Sequence, residues 1–186
     1  VKRRISINLS LLPLPWQGNK INLIDTPGHA DFVGEVKAGI RIADAAVLVV
    51  CCSSGVEVGT ELAWGYAARA NLPVLIVLNK IDRENADFTR VVEQLQARFG
   101  AKCVPIQLPI GAQDKFEGVV ELVQMKSVRD TNVGEIPGDL KEQAAAFKTK
   151  LIEAVADTDD KLLEKYLDGK ELTDEEVRQG LRKGIQ

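Results

Sequence analysis

The sequence predicts an α/β fold, a mostly parallel sheet flanked by helices and followed by an α+β inserted subdomain, on three observations. Short apolar runs alternate with stretches of helical spacing, the pattern of strands joined by helical crossovers. Two polar motifs, Asp25-Thr26-Pro27-Gly28-His29 and Asn79-Lys80-Ile81-Asp82, stand directly after apolar runs, at the carboxyl ends of expected strands. After Pro109 the texture changes: Gly111 and Gly118 flank Phe116, and a polar, turn-rich piece runs from Asp130 to Asp139. A boundary is therefore expected near Ile110, between a core of residues 1–110 and an inserted subdomain of residues 111–186 made of a strand hairpin and helices.

Taken in order, Ile5 to Leu12 and Lys20 to Ile24 read as neighbouring strands, connected through Pro13, Pro15 and Gly18. Helical spacing begins at about Asp31, with Phe32, Val36 and Ile40 on one face. Ala45 to Cys52 reads as a buried strand. Thr60 to Ala70 is helical, and Asn71-Leu72-Pro73 ends it before the apolar strand Val74 to Leu78. Asp87 can cap the next helix, whose Phe88, Val91, Val92 and Leu95 share a face, and Gly100 can terminate it. Cys103 to Leu108 and Val119 to Val123 are strands. Three helices close the chain: the first presents Leu140, Ala144, Phe147, Leu151, Ile152 and Val155 on one side, and the second runs from about Asp159 to Leu167. The third opens on Thr173-Asp174-Glu175-Glu176, a capping box.

Composition narrows the function. A chain of 186 residues holds one domain of α/β size, with room for an insertion. A formal net charge of -3 argues against gripping nucleic acid through overall charge, so any contact with RNA must be local. Cys51, Cys52 and Cys103 have no zinc spacing and suit a reducing cytoplasm as small, strand-embedded thiols. The basic start and apolar stretch to Leu14 resemble a secretory signal, but Asn8, Ser10, Pro13 and Pro15 interrupt it and no small-residue cleavage site follows. No apolar run approaches bilayer length. The chain begins with Val, as expected of a segment that starts inside a larger protein.

The chemistry lies in the two motifs. Carboxyl ends of strands are where open α/β sheets bind ligands. An aspartate there, Asp25, can hold Mg²⁺ through water, because magnesium keeps most of its hydration. Gly28 leaves a backbone N–H free to approach a phosphate oxygen. Asp-Thr-Pro-Gly alone would be read as an ordinary turn, and His29 alone as a surface or cap residue. The second motif changes those odds. Asp82 can accept two hydrogen bonds from the N1–H and exocyclic amine of guanine, a pair that adenine does not offer. Asn79 can brace the loop, and the stem of Lys80 can lie along the base.

With these residues the chain resembles the translational GTPases, a P-loop-NTPase-like family, and among them most closely elongation factor G. The shared blocks are Asp25-Thr26-Pro27-Gly28-His29-x-Asp31-Phe32, Ser54-Gly55-Val56-Glu57 and Asn79-Lys80-Ile81-Asp82. The elongation factor G resemblance rests on Val104 to Gly111, Phe116-x-Gly118-Val119-Val120-x-Leu122, Tyr166-Leu167-x-Gly169 and Leu172-Thr173-x-Glu175-Glu176. It implies a cytoplasmic, monomeric, ribosome-dependent enzyme that hydrolyses GTP to GDP with Mg²⁺ while tRNA and mRNA move, with no membrane partner. It also implies roles. Asp25 and Ser6 would hold Mg²⁺, Asp25, Thr26, Pro27, Gly28 and His29 would bind the nucleotide with Gly28 sensing the γ-phosphate and His29 orienting the attacking water, and Asn79, Lys80, Ile81 and Asp82 would form the guanine loop.

The chain departs from the family at four positions. Arg4 stands for Gly and Ser6 for Thr, which keeps the hydroxyl but loses the methyl that limits its rotation. Val58 and Gly59 replace Pro and Gln, as in a divergent paralogue. No G-x-x-x-x-G-K-[ST] phosphate loop and no later S-A-[KLF] loop occur in the 186 residues, so these residues alone are expected to bind GTP weakly and hydrolyse it negligibly. The alternatives carried forward are a ribosome-protection or recycling factor of the same family and a ribosome-binding module without turnover.

Overall fold

The structure is a computed structural model that describes residues 5–185, the side chain of Ile185 excepted. Arg4 lies outside the described residues. The fold is α/β, and the chain divides into two compact units: Val1–Val49 with Glu57–Val77, and Val50–Val56 with Leu78–Gln186.

Unit one opens with an antiparallel hairpin, β1 (Ser10–Trp16) and β2 (Asn19–Asp25), in which Ser10 faces Asp25 and Trp16 faces Asn19. The strand expected at Ile5 to Leu12 thus begins later and takes in Pro13 and Pro15, which the sequence placed in the connection. Two prolines are tolerated because they leave N–H groups missing on an edge strand, and the turn is made instead by Gln17 and Gly18, both at positive φ (45° and 78°). A short 3₁₀ turn, Ala30–Phe32, leads into α1 (Val33–Ile40). Next come β3 (Ala46–Cys51), α2 (Val58–Arg69) and β4 (Val74–Asn79), with β3 and β4 paired and the last two residues of each strand counted in unit two. Helix α1 packs on α2, where Lys37 and Arg69 bring their cations to 5.3 and 5.1 Å from the Tyr66 ring. The sequence predicts β3 as a buried strand. It alternates instead, with Val47 and Val49 each 58% exposed.

Unit two holds α3 (Phe88–Phe99), started by Asp87, whose Oδ1 accepts the Arg90 N–H at 3.0 Å, and ended at Gly100 with φ 104°. Its sheet is antiparallel, in the order β5 (Gln107–Ile110), β6 (Gly118–Glu121), β7 (Lys126–Arg129), β8 (Asn132–Gly134). The strand expected at Cys103 to Leu108 starts at Gln107, where Leu108 pairs with Val120. The described strands therefore fall into three sheets, and the hairpin and the four-stranded sheet are antiparallel where the sequence suggested a mostly parallel one. Helices α4 (Lys141–Ala156), α5 (Asp160–Leu167) and α6 (Asp174–Ile185) pack with this sheet around Leu108, Val120, Leu122, Leu151, Val155 and Val177. The expected capping box at α6 is formed: Glu176 accepts the Thr173 N–H at 2.7 Å and donates its own N–H to Thr173 Oγ1 at 3.3 Å.

Candidate functional site

Strand β2 delivers Asp25 at its carboxyl end, exposed, and the chain leaves the sheet through Thr26 and the fully buried Pro27. Pro27 is thus an anchor, holding the loop down while Gly28 and His29 stay exposed. The hydroxyl of Ser6 donates to Asp25 Oδ2 at 3.2 Å, so two oxygens expected to share a metal meet across 19 residues of sequence. Leu9 N–H donates to Glu35 Oε2 at 2.7 Å, which ties the segment carrying Ser6 to α1.

An added Cβ at Gly28 would meet nothing within 4 Å. The position is open, and the protein's own packing does not require a glycine there. His29 caps the 3₁₀ turn. Its Nδ1 lies 3.3 Å from Asp31 Oδ2 and 3.5 Å from the Asp31 N–H. The nitrogen cannot both donate to the carboxylate and accept from the amide, so the two contacts are alternatives: with the neutral ring's proton on Nδ1, Nε2 keeps a lone pair that can accept a proton from water. The ring is 61% exposed and stands 6.2 Å from Phe32.

In unit two, β4 ends in Asn79 and the chain turns sharply at Lys80, whose φ is 59°. Asn79 Oδ1 accepts the Lys80 N–H at 2.9 Å, the bracing expected of that side chain, and Asn79 O accepts the Cys52 N–H at 2.8 Å. Asp82 is exposed on the loop and Ile81 half-buried.

Motif reading missed the residues that hold the loop Ser53–Val56. Arg90 donates through Nη2 to Ser53 O at 2.8 Å and Cys52 O at 3.3 Å, and Gln94 Oε1 accepts the Val56 N–H at 3.0 Å. No local signal marks an arginine 37 residues away as an anchor. Beside them Cys51, half-buried, is held down to about 6 chiefly by its contact with Ser53, whereas burial pushes Cys52 and Cys103 up. An open cleft of about 1080 Å³ in unit two is lined by Asp87, Arg90, Gly111 and Gln113 among others, and none of Asn79–Asp82 lines it. Asn79, Lys80 and Asp82 are exposed on their loop. Among the described residues no three His, Cys, Asp or Glu side chains converge on a metal-sized site, and no helix is long and apolar enough to cross a membrane.

The sequence model of the family described as "Elongation factor Tu GTP binding domain" matches residues 1–177. A crystal structure of a protein from Thermus thermophilus superposes with a TM-score of 0.89 at 34% sequence identity. The similarity covers 99% of this chain and 29% of that protein, so the chain spans less than a third of that relative's length.

Proposed function

This chain belongs to the family of elongation factor Tu GTP-binding domains, translational GTPases that bind GTP, and from that premise we propose that it serves a ribosome-dependent GTPase of the elongation factor G kind. In this reading the whole protein is a cytoplasmic monomer that moves tRNA and mRNA through the ribosome at the expense of GTP. Residues 1–110 form its nucleotide-binding core and residues 111–186 its inserted subdomain.

The observation that carries the proposal is the Ser6 hydroxyl on Asp25 Oδ2 at 3.2 Å. Two hard oxygen donors on adjacent loops fit Mg²⁺, which takes one or two protein ligands and fills its shell with water and phosphate oxygens. When bound, such an ion would supply positive charge against the charge that builds on the phosphate oxygens. Ser6 would hold it directly and Asp25 through water. Gly28 offers its N–H to the γ-phosphate in space the protein leaves open. His29, with Nδ1 committed to Asp31, presents Nε2 to the attacking water. In the guanine loop, Asp82 accepts from guanine's N1–H and exocyclic amine, Lys80 lies along the base, and Asn79 holds the loop that Ile81 links.

The deciding experiment is a change of base preference in the whole protein. Asp82→Asn replaces one of the two carboxylate acceptors with an NH₂ donor and should shift preference from guanine to xanthine nucleotides, measured by competition for binding. Retained guanine selectivity would place base reading elsewhere. The 186 residues contain no phosphate-loop pattern, so their own affinity for GTP should be weaker than micromolar in a titration.

A further inference from the structure

Between Ile110 and Glu117 the chain folds into a tight turn closed by its own backbone. Glu117 N–H donates to Ile110 O at 2.9 Å, Lys115 N–H to Ala112 O at 3.0 Å, and Phe116 N–H to Gln113 O at 3.1 Å. Gly111 (φ 76°) and Gln113 (φ 55°) both occupy the left-handed region, and a Cβ on Gly111 would stand 1.9 Å from Lys115 O. This conformation turns one N–H outward: Gln113 donates to Ile81 O at 3.1 Å, inside the Asn79–Asp82 loop.

The Ile81 carbonyl lies in the same rigid peptide plane as the Asp82 nitrogen. Holding that oxygen therefore holds the plane from which the Asp82 side chain departs. Cys52 N–H secures the other end of the loop at Asn79 O, and Arg83 N–H closes it on Lys80 O at 3.2 Å. We propose that Gln113 is a positioning residue for base recognition: its backbone N–H, presented by the turn after β5, fixes the direction from which Asp82 meets guanine. The inference rests on the assignment of Asn79–Asp82 as the guanine loop. Its consequence is that guanine affinity depends on the state of the Gly111–Phe116 turn, outside every nucleotide motif in the sequence.

The link is directly observable in the unaltered chain. In the isotopically labelled protein, a through-hydrogen-bond coupling should connect the Gln113 nitrogen with the Ile81 carbonyl carbon, and its absence overturns the proposal. Gly111→Ala forces the turn open and should speed amide exchange at residue 113, the donor of the bond, and at Arg83, whose N–H closes the loop, roughly 3- to 10-fold, the worth of one hydrogen bond, while β6 and β7 amides keep their rates. Gln113→Gly keeps the donor and should leave these two amides near the wild-type rates; a rise equal to that of Gly111→Ala would assign the effect to the side chain and refute the proposal. If Gly111→Ala unfolds the sheet, the coupling in the wild type still decides.

In the whole protein, a misaligned Asp82 should weaken GDP by about 3- to 10-fold and IDP by less, because inosine keeps the N1–H but lacks the exocyclic amine. Equal losses for both nucleotides would indicate general damage and overturn the positioning role. Failure of the wild-type whole protein to bind GDP would instead sink the nucleotide assignment, with the Gln113–Ile81 bond untouched.

Discussion

The two units use their apolar residues in different ways. In unit two, Leu108, Val120, Leu122, Leu151, Val155 and Val177 are at most 2% exposed and pack into one cluster between the four-stranded sheet and α4 to α6. In unit one the hairpin register sets Leu12 opposite Leu23 and Leu14 opposite Ile21, so these four share a face with Trp16, and all five are between 39% and 61% exposed. Val47, Val49, Leu75 and Val77 of β3 and β4 are exposed as well. A two-stranded ribbon with its apolar face in water is marginal by itself. The residues expected to handle phosphate and metal, Ser6, Asp25, Gly28 and His29, belong to this weakly buried unit, and most of the buried apolar side chains among the described residues belong to the other.

That division predicts that chemistry and stability respond to different substitutions. The largest effect should be on activity: His29→Ala in the whole protein should lower ribosome-stimulated GTP hydrolysis by roughly 10²–10⁴-fold, the range for a positioned proton-transfer or water-orienting group. Because the ring is 61% exposed, the thermal midpoint should not move. An unchanged rate removes His29 from the mechanism, and a fallen midpoint means the loop supports the fold. The converse is Leu151→Ala. This side chain is 0% exposed at the centre of the cluster, and its truncation should cost about 2–5 kcal/mol in denaturant unfolding.

How much of this was legible follows the same division. Local rules worked where the cause is local: Asp87 caps its helix, Thr173 and Glu176 form the capping box, and Asn79 braces Lys80. Local rules failed where partners are distant. Pro13 and Pro15 looked like a connection, but pairing with Asn22 and Lys20 on an edge ribbon keeps them in a strand. β3 looked buried because its residues are uniformly apolar, and composition cannot say whether both faces are covered. Arg90, Gln94 and Gln113 carry no motif, since each acts through a backbone group that sequence spacing does not bring near.

A smaller effect tests how unit two is held at its end. Lys165 lies 2.8 Å from Glu176, and together with the Thr173 N–H and hydroxyl it holds the Glu176 carboxyl down to about 2 from an ordinary 4.5. A carboxyl depressed in the folded state stabilises fully above its ordinary value, and that contribution is lost as pH falls from about 4.5 toward about 2. Lys165→Met should flatten the stability profile over that window, read as unfolding midpoints in denaturant. A profile of unchanged slope would mean the pair is too solvated to matter, as exposed pairs often are.

The smallest expected effect bears most directly on the comparison. Leu12 is 61% exposed on the hairpin face, so Leu12→Ser removes little buried area in this chain and should change stability by less than about 0.5 kcal/mol. The same substitution should raise solubility, because it breaks an apolar stripe that continues through Leu14 and Trp16. Repeating it in the whole protein separates two meanings of that stripe. A cost of about 1.5–3 kcal/mol there, set against almost none here, would show that other parts of the protein bury this face, since that is the worth of a fully covered leucine. A negligible cost in both would leave the hairpin as a surface that water covers throughout, with its position set by the ladder and by the Leu9–Glu35 hydrogen bond.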